Sequence, residues 1–176
     1  MTGQTHWMVV LDQKNFDVTL ARGFDLQGVD HRNRRKASRI ASGDKFVFYV
    51  KDKRGFAASC TATSDYFEDD TKIWDSHDGR ELFSHRVRMK PNIVLKPAAF
   101  IDAKEVGPTL EYVKAWPAEL WELALFGMLH IIPQRDFNFL DAEMQRLSKT
   151  DDKSKSLEKI GDNTGSSNRK TTVRKR

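Results

Sequence analysis

Residues 31–39, HRNRRKASR, place five cationic side chains in nine positions: Arg32, Arg34, Arg35, Lys36 and Arg39. Such a run is usually a solvated helix face, and it is also the composition that neutralises phosphates, with Asn33 as a polar contact between them. Close by lie groups suited to one planar ring. Phe24 and Trp74 can stack on a base, and Asp17, Gln27, Asn33 and Ser64 carry the donors and acceptors that read a base edge. Reactions are served less well. The five histidines include no HExxH pair, the single Cys60 offers neither a disulfide nor a cysteine-ligated metal, and no glycine-rich phosphate loop occurs. The zinc deaminase pattern of H-x-E with P-C-x-x-C is also missing. Two rival readings stay open: an enzyme acting on a nucleotide or small base through Asp17 or His31 as general acid/base, and a protein–protein module with a flat apolar patch.

These residues need elements to hold them. The apolar run at residues 6–11 suits a buried strand, and Asn15 caps a helix carrying Phe16, Leu20 and Ala21 that ends at Gly23. Residues 34–41 read as a short helix, with Asp44 organising the turn after Gly43. Residues 44–51 and 56–64 form a hairpin across Asp52-Lys53-Arg54-Gly55. Cys60 falls in that second strand, where a small buried thiol is expected rather than a nucleophile paired with His85. An acidic loop spans residues 65–81, and residues 83–89 alternate as a half-buried strand. Residues 97–103 make a turn of helix, and Pro117 opens an amphipathic helix over residues 118–126. A strand at 128–132 precedes a last helix from Pro133, with Trp116, Trp121, Phe126 and Phe137 expected in the core. The sum is an α+β chain built on a small, mostly antiparallel β-barrel.

The charge of +5 is not spread through the 176 residues. Residues 148–176 hold nine Lys/Arg and four Asp/Glu, so the excess lies in the tail and residues 1–147 are balanced. The tail has three large apolar residues, Leu157, Ile160 and Val173, too few to offset ordering, and is expected to be a disordered basic extension ending in RKTTVRKR. Residues 1–147 are expected to be one domain. No apolar run reaches a membrane-spanning length, and the N-terminus lacks the basic start of a secretion signal, so a cytoplasmic protein is expected.

Several strings in order resemble the EVE domain of the PUA-like superfamily. They are the Trp7 strand, the Gly23-Phe24 helix end, Gln27-Gly28-Val29 before the basic segment, and Ser42-Gly43-Asp44 leading into Phe46-Val47-Phe48-Tyr49. Phe56 to Ala62 and the closing Gly127-Met128-Leu129-His130-Ile131-Ile132-Pro133 with Asp136-Phe137 complete the set. The resemblance implies a PUA-like β-barrel flanked by short helices, with the YTH readers of N6-methyladenine as more distant relatives. It further implies a non-catalytic DNA or RNA reader that holds a flipped, modified base at one barrel end and needs no cofactor or metal. The loop after the first strand then supplies Asp12, Gln13 and Asp17, and the segment beyond the helix supplies Phe24, Gln27 and Val29, with Trp74 as a further wall. Phe24 stands near a YTH cage tryptophan, implying a flatter or more polar pocket.

Overall fold

The computed structural model describes residues 3–162. In chain order the regular elements are β1 (His6–Leu11), α1 (Gln13–Ala21), β2 (Leu26–Val29), α2 (Arg34–Ala37), β3 (Lys45–Val50), β4 (Gly55–Ala62), β5 (Phe67–Glu68), β6 (His85–Val94), β7 (Ile101–Asp102), α3 (Ala103–Val106), β8 (Leu129–Ile131) and α4 (Gln134–Asp162). The strands run β2-β6-β4-β3-β1-β8 in one curled half-barrel, with β5 added to β6 and β7 to β4. Every pairing is antiparallel except β1 with β3, where His6 lies beside Lys45 and Leu11 beside Val50.

All six residues of β1 are buried because both faces of its sheet are covered. Trp7, Val9 and Leu11 face one core with Phe16, Phe24, Phe46 and Phe48. Met8 and Val10 face a second core with Tyr49, Phe56, Phe137, Leu140 and Met144. A strand covered on both faces reads as a continuous apolar run, as residues 6–11 do. Asp44 ties β1 to the turn before β3, as its sequence position suggested. Its buried carboxylate accepts from Trp7 Nε1 at 2.9 Å and from the Thr5 and Ala41 N–H groups at 3.0 Å.

Several local expectations change. The α1 cap is Asp12, whose Oδ1 accepts the Asn15 N–H at 2.8 Å, which releases the Asn15 amide for another partner. β2 is a strand that its Leu-Gln-Gly-Val sequence does not announce. Ala118–Leu125 forms 3₁₀ turns broken at Leu120 rather than an α-helix, with Trp121 packed on the bare Cα of Gly107. Trp116 and Phe126 are exposed rather than core, whereas Phe137 is buried and Trp121 half-buried. α4 continues past the expected boundary at 147, so residues 148–162 are helical rather than unstructured. Met144 is its last fully buried side chain among those described, and Asp151 pairs with Lys96 at 3.4 Å. The basic end, residues 169–176, lies outside the described residues.

Candidate functional site

A cleft of about 750 Å³ opens where the end of β1, the start of α1, the turn after β2, the β3–β4 turn, the 75–83 loop and residues 122–128 meet. Val10, Leu11, Tyr49, Phe83, Leu125 and Met128 give it apolar surface, and Arg32, Lys51 and Arg54 line it with positive charge. Phe126, 70% exposed, also lines it. That aromatic in water beside a lined cavity is unusual, because a ring of this size normally buries its face.

The walls are joined by side chains that bridge distant segments. The Asn15 amide clasps the backbone of Asp75, donating from Nδ2 to its carbonyl at 2.7 Å and accepting its N–H at 3.0 Å. Asp30 caps the 3₁₀ turn His31–Asn33, its Oδ1 accepting from Asn33 N at 3.1 Å and Nδ2 at 2.6 Å. The Glu81 carboxylate accepts from His31 N at 3.1 Å and Phe83 N at 2.8 Å, joining the loop to that turn. Arg54 forms an ion pair with Glu122 across the cleft lining.

Arg86 holds the loop from beneath. Strand alternation would send it outward with Arg88, yet it is fully buried. Its Nε donates to Phe83 O at 3.1 Å, one Nη donates to the Thr71 and Leu82 carbonyls, and the other faces Asp69 at 3.3 Å. The guanidinium carbon also lies 5.3 Å from the Trp74 ring centroid. Burial lowers the Arg86 pKa, and the Asp69 carboxylate opposes that shift. Asp69 is itself held below the usual carboxylate range, mainly by hydrogen bonds from Thr71.

A second polar chain fixes the basic segment. Tyr66 O–H donates to Glu68 at 2.6 Å, so it accepts from His85 Nδ1 at 2.7 Å. His85 Nε2 then accepts from His31 Nδ1 at 3.3 Å, and His31 Nε2 accepts from Arg34. One tautomer of each ring satisfies the whole sequence of donors. Burial and the Glu68 carboxylate push the Tyr66 phenol up to about 12.

None of the six residues expected to form the base pocket lines this cleft. Gln13 and Asp17 bond to each other on α1 at 2.8 Å, and Asp17 is exposed. Phe24 and Val29 are core, with the Phe24 ring 5.2 Å from that of Phe48. Gln27 is wholly buried: its Oε1 accepts the Thr19 hydroxyl at 2.9 Å and its Nε2 donates to Gly28 O at 2.8 Å. Thr19 Oγ1 accepts in turn from Trp74 Nε1 at 2.9 Å, so Trp74 closes a buried polar chain instead of presenting a face. The polar atoms of Gln27 and the Trp74 Nε1 have partners inside, whereas Gln13 Oε1 is buried with no partner among the described residues.

The cationic segment separates similarly. Arg32 lines the cleft, Asn33 is spent on the Asp30 cap, Arg34 is held by His31, and Lys36 donates to Leu129 O at 3.0 Å. Arg35 and Arg39 point to solvent without a side-chain partner among the described residues. Ser64 serves a local turn, accepting from Arg88 N at 2.9 Å. Cys60 is buried, which pushes its thiol pKa up, and it lies opposite Pro91 rather than His85. Among the described residues no group of three or more His, Cys, Asp or Glu is placed to hold a metal ion, and no helix is long and apolar enough to cross a membrane. Sequence reasoning missed Asn15, Asp30, Lys51 and Phe126 as site residues. For Phe126 the available signal was its place before Gly127-Met128 in the closing motif.

The model of the EVE domain matches residues 5–140. The UPF0310 protein PH1033 of Pyrococcus horikoshii is 26% identical over 148 residues, 78% of this chain and 97% of that protein. The fold is similar to the Pho92 YTH domain solved in complex with m6A, with a TM-score of 0.57 at 14% identity, covering 82% of this chain and 88% of that one. It is also similar to the YTH domain of the Zygosaccharomyces rouxii MRB1 protein solved with N6-methyladenosine RNA, with a TM-score of 0.56 at 13% identity, covering 82% and 86%.

Proposed function

The chain belongs to the EVE domain family, and from that premise we propose that it is a non-catalytic nucleic-acid reader that holds one flipped, modified base in the cleft beside Phe126. The observation that carries this reading is the exposed Phe126 ring on a cavity with apolar surface and with cations drawn from two separate turns. A base slides against the ring, Met128 and Leu125 meet its other surfaces, and Arg32 and Lys51 reach the phosphates on either side. The YTH domains of similar fold, solved with m6A and with N6-methyladenosine RNA, support the same use of this architecture. Each carboxylate around the cleft gives at least one oxygen to a cap, a backbone N–H or an ion pair, which suits a rigid receptor. Arg35 and Arg39 extend the phosphate path outside it.

The test is a set of fluorescence anisotropy titrations with single-stranded DNA and RNA, each carrying one modified base, at several salt concentrations. Phe126→Ala should weaken binding by about 1–3 kcal/mol, the worth of one stacked base. Arg32→Ala and Lys51→Ala should each lower the slope of log K against log salt by about 0.7–0.9 while leaving base preference in place. Wild-type affinity and salt slope in all three variants would overturn the assignment.

A further inference from the structure

Carboxylates outnumber cations in the lining of the cleft. Six carboxylates line it (Asp12, Asp30, Asp75, Asp78, Glu81 and Glu122) against the three cations Arg32, Lys51 and Arg54, and Arg54 is already paired with Glu122. Lys14 holds the Asp75 carboxyl below its usual range, and the Arg80 N–H with the Ser76 hydroxyl does the same for Asp78. Asp12 and Asp30 each give Oδ1 to a cap, and their Oδ2 atoms have no partner among the described residues. Arg35 and Arg39 lie outside the cleft lining, exposed on the adjoining segment. A polynucleotide meets both signs in the cleft: Arg32 and Lys51 attract its phosphates, while the more numerous carboxylates favour a base that carries positive charge. The one exposed aromatic face there, Phe126, also favours positive charge, because its π surface is the negative end of the ring quadrupole.

Resting on the reading of the cleft as a base pocket, we propose that it selects by charge, taking a positively charged N-alkylated nucleobase in preference to a neutral one of the same size. Two isomers separate charge from shape. 1-Methyladenine is a cation at pH 7, whereas N6-methyladenine carries its methyl group without a charge. Cation–π attraction and two free carboxylate oxygens act on the first and not on the second.

The experiment titrates the full chain with single-stranded DNA and RNA oligonucleotides identical except for one central position: 1-methyladenine, N6-methyladenine, adenine or an abasic site. The expected result is binding of the 1-methyladenine strand about tenfold tighter than that of its isomer. Asp30→Asn keeps a capping side chain and should reduce this ratio several-fold, as should Phe126→Leu, with folding checked by circular dichroism. Equal or tighter binding of N6-methyladenine, with both above adenine, overturns charge selection and leaves the base-reading function standing. Binding that ignores the central position, the abasic strand included, overturns both.

Discussion

His130 makes two hydrogen bonds that the neutral ring satisfies: Nε2 donates to Gly127 O at 3.0 Å and Nδ1 accepts from Tyr112 at 2.7 Å. Burial lowers its pKa, with Lys36 assisting and the Gly127 carbonyl opposing. Burial also lowers that of His6, against Asp44. Well above pH 6.5 both rings are neutral in folded and unfolded chains and add no pH dependence. Below it the unfolded chain takes up protons that the folded chain refuses, so stability falls until the folded pKa values are passed. The thermal midpoint should therefore be lower at pH 5.5 than at pH 7.5, and His130→Gln should shrink the gap; a midpoint equal at both values would sink the assignment. The lowered carboxylates Asp69, Asp75 and Asp78 act at more acid pH, which keeps the two effects apart. At this scale the sequence was readable where a residue obeys its local pattern, as Asp44 does. It misled where tertiary packing reverses the pattern. Gln27 and Arg86 carry polar groups that composition sends to a surface, yet each finds its partners inside, and Phe126 is an aromatic left in solvent. Partners from 8 to 55 positions away along the chain, as in the Gln27–Thr19–Trp74 bonds, leave no periodic trace.

Gly28 shows how one short element sets the position of the loop. It lies in β2, opposite Arg86, and a Cβ there would stand 2.6 Å from Trp74 Cζ3 and overlap the Phe83 carbonyl oxygen. The 74–83 loop rests directly on bare backbone. Gly28→Ala should cost about 1–3 kcal/mol through overpacking and push the loop off the strand. A denaturant titration reads the cost, and Trp74 fluorescence reads the displacement; an alanine variant with unchanged stability and emission would refute the close approach. The elements bearing long apolar runs or clear periodicity were legible: β1, β3, β4 and the start of α4. β2 was not, because four residues with Gln-Gly at their centre have neither the length nor the β-branched content of a strand, and pairing with β6 supplies what propensity lacks. Residues 118–125 misread in the other direction: their helical spacing is genuine, but the chain breaks at Leu120.

Across the molecule, the expected antiparallel barrel holds as a curled half-barrel, and the EVE resemblance read from ordered strings holds over residues 5–140. The pocket residues expected from sequence lie outside the cleft lining, which gathers five separate stretches, and the resemblance named Asp12 on one side of it. A further consequence lies in the strand order, where the first strand is clasped between β3 and β8. During synthesis β3 follows β1 within forty residues, but the partner for the other edge of β1 is residues 129–131. Until these arrive, an apolar strand shows an open row of amides and carbonyls, a template for pairing with another chain. A chain ending at residue 128 should therefore aggregate on expression, while one ending at residue 150, which keeps β8 and the buried turns of α4, should be soluble and melt close to the full-length midpoint. Soluble yield and circular dichroism melts decide it; a well-folded 128-residue product would show that β8 is dispensable. Low temperature or a holdase chaperone should raise the yield of the intact protein by suppressing association during that interval.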